Sequence, residues 1–184
     1  MVSLASLWLP ILLSAVLVFI ASSVLHMALK YHRADFDKLP NEDAVLASLG
    51  AVPAGDYMAP YTTDREQMKD PAFVEKVSKG MYVITVMRSS MMESFKKALM
   101  WWFVYALVVN LFAAYVAGRA LGPGVEYLAV FRMVGTTAFL GYALAQWQDT
   151  IWYGKRAGTS VRNTIDGLIY ALLTAGVFGW LWPK

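Results

Sequence analysis

The sequence predicts an all-α integral membrane protein, a four-helix transmembrane bundle with a small mixed cytoplasmic segment between the first and second spans. Two observations support this prediction. The 184-residue chain is 58% apolar and only 16% charged, whereas soluble domains are about 25% charged. The apolar residues also fall into four long runs, and about 20 apolar residues suffice to cross a bilayer as a helix. We therefore divide the chain into residues 1–30, 31–94 and 95–184.

The first span is predicted at residues 7–29, which contain no charged side chain. No Lys or Arg precedes it, while Lys30 and Arg33 follow it, so a retained anchor is favoured over a cleaved signal peptide. His26 is the one histidine within a predicted span. We interpret it as hydrogen-bonded at the membrane interface. A cofactor ligand is the alternative, although a haem held by two histidines would need a second one in another span.

The polar segment, residues 31–94, carries its own folding signals. Asn41 is followed by two acidic residues and predicts a helix that ends at Gly50. Asp70-Pro71 predicts a second helix, closed by Gly80. Residues 81–88 are rich in β-branched side chains and predict a strand, which must pair with residues 57–61 or with a partner protein.

The remaining spans are predicted at residues 95–121, 127–147 and 165–183. Two of these spans carry small or polar residues at every fourth position, and residues four apart on a helix lie on one face. Such faces allow close helix contact, so we expect spans two and four to pack as parallel helices with Gly118 against Gly179. Asn110 predicts a hydrogen bond between helices. The two faces are Ala106, Asn110, Ala114 and Gly118, and Gly167, Ala171, Ala175 and Gly179.

The distribution of Lys and Arg predicts the orientation. They concentrate in the first and third connections between spans, and cytoplasmic loops carry this excess. Residues 31–94 are therefore predicted to be cytoplasmic, with both termini outward.

Charged residues near the spans give the other candidates. Arg132 is predicted to reach the interface, with Glu126 as a partner. The alternatives are contact with an anionic substrate and pairing with another subunit. A second group is predicted to form aromatic and basic anchors to lipid, with Asp166 as a charge at the start of the last helix. The alternative makes Asp149 and Asp166 a headgroup or metal site. This second group is Asp149, Trp152, Tyr153, Lys155 and Arg156.

Several functional classes are excluded. The chain has no cysteine and therefore no disulfide or thiolate site. It lacks a phosphate loop, a nucleophile elbow and a zinc-protease motif. The net charge of +3 is small and its basic residues flank the spans, so nucleic acid is not a predicted partner.

Four stretches carry a resemblance: residues 39–44 (LPNEDA), YMAP at 57–60, IWYGK at 151–155 and IDGLIYALLTAGVFGWLWP at 165–183. They resemble a group of small bacterial four-span membrane proteins. The resemblance implies the fold but supplies no activity and no catalytic residue. One departure is MYVITVMRSSMME after Gly80, where that group would have more glycine and proline.

These observations predict a non-catalytic accessory or scaffolding subunit that packs against a larger membrane complex. The alternatives are a membrane enzyme or carrier acting on a lipid or quinone, and a small transporter or channel. No cofactor, metal or catalytic residue is predicted, and a bound lipid is allowed. The predicted partners are membrane lipids and other membrane protein subunits.

Overall fold

Long apolar helices make up most of the chain. The computed structural model describes residues 1–87 and 91–184, with the backbone alone at Met91. In that part of the chain, four helices are long and apolar enough to cross a membrane, which confirms the predicted helical fold class. They are Leu4–Ala28, Met92–Ala120, Tyr127–Tyr153 and Ala157–Leu181.

The elements follow the predicted order. A 3₁₀ turn at Leu4–Leu7 precedes the first α-helix and a π-turn at Val24–Ala28 extends it. The chain divides into two compact units, residues 1–37 with 95–184, and residues 38–94. Helices α1 to α7 are Trp8–Ser23, Glu42–Leu49, Pro71–Ser78, Met91–Ala120, Tyr127–Tyr142, Trp147–Tyr153 and Ala157–Leu181, and strands β1 and β2 are Gly55–Ala59 and Tyr82–Val86.

Helix α7 is the most buried span and packs against both α1 and α5. In its most apolar window 44% of the residues are buried, against 28% in each of the other spans. Glycines permit this close packing. A Cβ added at Gly167 would lie 2.8 Å from the Cβ of Ala143, and one at Gly179 would lie 2.6 Å from the ring of Tyr127. The small-residue face of α7 is therefore occupied by α5 and the residue that follows it.

The predicted contact between Gly118 and Gly179 is wrong. Gly118 packs against the N terminus instead, where its carbonyl accepts a hydrogen bond of 2.8 Å from the backbone N–H of Val2. A Cβ at Gly118 would lie 2.8 Å from the Val2 carbonyl oxygen. A row of small residues shows that a helix face packs closely, but it does not specify which segment covers that face.

Helices α4 and α7 nevertheless meet at a buried polar contact. The hydroxyl of Thr174 donates to Oδ1 of Asn110 over 3.1 Å, and both side chains are fully buried. This contact confirms the interhelical hydrogen bond predicted for Asn110.

Helix α7 begins at Ala157, well before the predicted start at residue 165. Residues 149–164 were predicted as a polar connection, yet most of them are helical, in α6 and the start of α7. Their polar groups bond to one another. The hydroxyls of Thr150 and Ser160 lie 2.6 Å apart, and Nε1 of Trp147 donates to Thr164 over 2.9 Å. The helix continues through polar residues because these groups are satisfied within the protein.

The smaller unit contains α2, α3 and a two-stranded antiparallel sheet. Tyr57 pairs with Ile84 at the centre of the sheet, which confirms the predicted pairing of the strand after Gly80 with the segment around Tyr57. Asp70 caps α3 by accepting from the backbone N–H of Ala72 at 2.9 Å. Among the described side chains of residues 38–94, none is buried.

Candidate metal centre

A π-turn and a 3₁₀ turn follow α1, and they bring polar side chains onto α7. In the π-turn at Val24–Ala28, the N–H of Leu29 donates to the carbonyl of Val24 over 3.1 Å. A π-turn holds one extra residue and is frequent at functional sites. The 3₁₀ turn at Tyr31–Asp35 follows and packs against α7. His26 lies in the first turn and His32 in the second, and both point at the same part of α7.

His32 lies between two carboxylates. Its Nδ1 is 2.7 Å from Oδ2 of Asp35, and its Nε2 is 2.7 Å from Oδ2 of Asp166. All three side chains are mostly buried, with 11%, 9% and 3% of their side-chain surfaces exposed in that order. At 2.7 Å the contact between Nε2 and Asp166 has the length of a hydrogen bond, which requires a proton between the two lone pairs. A metal ion bound to both atoms would replace that proton.

A side chain on α7, that of Arg162, holds Asp35 in place. Nη2 and Nε of Arg162 donate to its Oδ1 over 2.5 and 2.8 Å. Burial would raise the pKa of Asp35, but the hydrogen bonds from His32 and Arg162 outweigh it and hold the pKa below its usual value. Asp35 therefore stays ionised and accepts the Nδ1 proton of His32, which directs Nε2 of that ring towards Asp166.

His26 has the same arrangement with a different acceptor. Its Nδ1 lies 3.1 Å from the backbone carbonyl of Ser22, which can only accept, so Nδ1 carries the proton. Nε2 is then the ring nitrogen that is available to a metal ion, and it lies 3.7 Å from Oδ2 of Asp166. The ring stacks on that of His32 with centroids 4.2 Å apart. Its side chain is 49% exposed, so the ring has room to turn.

Asp166 lies in the interior of α7 and not at its start, so the predicted role as a helix N-terminal charge is wrong. The residue is only 2% exposed, and its Oδ1 has no hydrogen-bond partner in the part of the chain that the structure describes. Buried polar atoms nearly always have a partner. A bound cation would supply one.

The ligand atoms of His26, His32 and Asp166 all lie within 4.8 Å of one another. In a tetrahedral zinc site, bonds of about 2.1 Å place the ligand atoms roughly 3.4 Å apart. Nε2 of His26 lies 3.7 Å from Oδ2 of Asp166, close to that spacing. Nε2 of His32 lies 2.7 Å from the same oxygen, so this contact would lengthen when both atoms bind the metal ion. The acceptors at the two Nδ1 atoms, the Ser22 carbonyl for His26 and Asp35 for His32, are also typical of a metal site. Metal-ligating histidines usually donate their second N–H to a carboxylate or a backbone carbonyl.

The other predicted site residues lie elsewhere. Lys155 donates to Asp149 over 2.8 Å, and Arg156 pairs with Asp37. This pairing lowers the pKa of Asp37 and raises that of Arg156. Trp152 and Tyr153 are exposed. Asp149 therefore has no part in the cluster around Asp166.

Arg132 is exposed on α5 and forms no salt bridge within the described residues, so the predicted pairing with Glu126 is absent.

The sequence analysis missed the roles of His32, Asp35 and Arg162. His32 and Asp166 are 134 residues apart in the chain, and no spacing motif joins them. One usable signal was present: Asp166 falls within the predicted fourth span, and an ionisable residue in a span is a functional candidate by default. Comparisons with protein-family models, curated proteins and solved structures found no match to this chain.

Proposed function

We propose that this protein is a membrane metalloprotein in which His26, His32 and Asp166 bind one divalent transition-metal ion. One observation carries the proposal: each imidazole has its Nδ1 held by an acceptor and its Nε2 directed at Asp166. Two imidazole nitrogens and a carboxylate oxygen suit zinc or iron(II), whereas magnesium and calcium prefer sites made of oxygen alone.

Three protein ligands favour an enzyme over a structural metal site. Structural zinc sites use four protein ligands, whereas catalytic sites use three and leave a position for water or substrate. The ion would supply a Lewis acid at the end of the bundle. Asp35 orients His32, and Arg162 neutralises Asp35, so the negative charge of Asp166 faces the ion. This proposal takes up the membrane-enzyme alternative of the sequence analysis.

The orientation of the chain in the membrane is part of the proposal. On the positive-inside rule we propose that residues 31–94 are cytoplasmic, in a bacterial inner membrane with both termini outward. The metal centre would then lie in the cytoplasmic half of the bundle, because His26 lies in the turn that ends the first span and Asp166 lies in the N-terminal half of α7.

Zinc binding to the purified, detergent-solubilised protein tests the proposal. We expect about one tightly bound zinc per chain, measured by elemental analysis and by competition with a chelator. His26→Gln and Asp166→Asn should each lose most of this affinity. The matched control is Asp149→Asn, since that exposed carboxylate pairs only with Lys155. Because His26 is half exposed, its replacement should leave the fold intact. Equal zinc binding by wild type and both site variants would refute the proposal.

The accessory-subunit role is a second candidate, and the smaller unit favours it. Residues 38–94 have no buried side chain where the structure describes them, and an isolated two-stranded sheet is marginal in water. Val83 and Leu46 are large apolar residues exposed in this unit. We propose that a partner subunit covers them. Val83→Glu should then remove a companion seen after mild-detergent purification, while Lys69→Glu in the same unit should retain it.

A further inference from the structure

A groove between α1 and α4 adjoins the metal centre. Its volume is about 630 Å³, within the range of roughly 300–1,000 Å³ typical of small-molecule sites. The end of the first span forms one wall, with Ser22, Ser23, His26 and Met27. The start of α4 forms the other wall, mainly with large apolar and aromatic side chains that include Phe95, Leu99, Trp101 and Trp102.

Hydrogen bonding fixes the floor of the groove. Nε1 of Trp102 donates to the hydroxyl of Ser22 over 2.7 Å, which joins α4 to α1 beneath the opening. Trp101 and Phe95 remain exposed at its rim. In a bilayer these side chains face lipid tails, so the groove is accessible to a chain from the membrane.

A second cavity of about 420 Å³ lies at the polar end of the groove. His26 and Met27 line both cavities, so the two adjoin. Lys30 and Arg33 belong to the second cavity, together with His32. Neither cation forms a salt bridge with any residue that the structure describes.

The charges around this cavity favour an anion. Arg162 and Arg156 are each matched by an aspartate, whereas Lys30 and Arg33 have no such partner among the residues that the structure describes. Asp166 would be neutralised by the metal ion or by the proton that it shares with His32. A neutral headgroup would leave the two cations without a counter-charge, whereas a phosphate would match them.

We propose that the groove and the adjoining cavity bind one anionic phospholipid from the bilayer, with an acyl chain in the groove and the phosphate against Lys30 and Arg33. The proposal rests on the proposed function, because His26 lines both cavities and is also a metal ligand. An anionic phospholipid is then the class of molecule that is presented to the metal centre.

The test compares two lipids with identical acyl chains, phosphatidic acid and diacylglycerol, by native mass spectrometry of the zinc-loaded protein in detergent. Wild type should retain phosphatidic acid in preference to diacylglycerol. Lys30→Gln with Arg33→Gln should weaken phosphatidic acid binding roughly 30-fold, since each basic residue near an anionic headgroup contributes about a factor of five to six. The matched control is Lys69→Gln with Lys79→Gln, which should not change it.

A second variant tests the groove. Ala98 is an exposed small residue on the groove wall, so Ala98→Trp should fill the groove and abolish lipid retention while zinc content stays unchanged. Val108→Trp, also on the exposed surface of α4, is the control and should retain lipid. Equal retention of the two lipids or full retention by Ala98→Trp would each overturn the proposal.

The two proposals fail separately in this experiment because zinc and lipid are measured on the same sample. Phosphatidic acid bound in the expected pattern to a wild-type protein without zinc would support the lipid site and refute the metal centre. Zinc bound without any preference for phosphatidic acid would support the metal centre and refute the lipid site.

Discussion

Replacing Asp35 with Asn should weaken zinc binding without removing any of the three ligands. The Asp35 carboxylate accepts from Nδ1 of His32 over 2.7 Å and from Arg162 over 2.5 Å. An asparagine keeps the shape but loses the negative charge that strengthens both bonds. Loss of such an outer-shell partner typically lowers metal affinity about 10- to 100-fold, which corresponds to roughly 1.4–2.8 kcal/mol.

The assay is competition with a chelator at fixed pH on detergent-solubilised protein. Asp37→Asn is the matched control, because Asp37 lies two residues away, is exposed and pairs with Arg156 outside the cluster. It should bind zinc like wild type. Asp35→Asn also leaves Arg162 without its counter-charge. The double variant Asp35→Asn with Arg162→Gln therefore separates the effect on thermal stability from the effect on zinc affinity. The double variant should regain thermal stability but not zinc affinity. Wild-type zinc affinity in Asp35→Asn would refute the outer-shell role.

Three further predictions concern packing and pH. Gly179→Ala should lower the stability of the solubilised bundle by roughly 1–3 kcal/mol, because its Cβ would lie 2.6 Å from an aromatic ring, while Gly176→Ala, with its nearest atom at 3.8 Å, should not. Thr174→Val removes the donor to Asn110 and should cost about 1 kcal/mol in a reversible unfolding assay. Folding lowers the pKa of Asp35 from its ordinary 3.8, so its stabilising contribution is present above that pH and is lost as the pH falls further. Thermal unfolding should show this loss in wild type and not in Asp35→Asn.

The spans could be predicted from composition because a bilayer requires long apolar helices with internally satisfied backbones. The start of α7 could not, because residues 157–164 are polar, and hydropathy does not show that Ser160 and Thr164 bond to α6. The small-residue face of α7 correctly indicated close packing. Its partner was misassigned, since such a face does not say whether α5 or α4 covers it.

The candidate site was only partly predictable. His26 and Asp166 could each be singled out as polar groups associated with apolar helices. Their meeting could not be foreseen, because it depends on the π-turn after α1 and on the 3₁₀ turn that carries His32 back onto α7. The contact of His32 with Asp166 depends on this tertiary arrangement, because the two residues are 134 positions apart in the chain.

X-ray absorption at the zinc edge of the zinc-loaded protein would identify the ligands of the metal ion. We expect nitrogen and oxygen ligands at about 2.0–2.1 Å, with the multiple-scattering signature of two imidazoles. His26→Gln should reduce that signature to one imidazole, and Asp35→Asn should preserve both. A spectrum without imidazole scattering, or one that His26→Gln leaves unchanged, would refute the proposed metal centre.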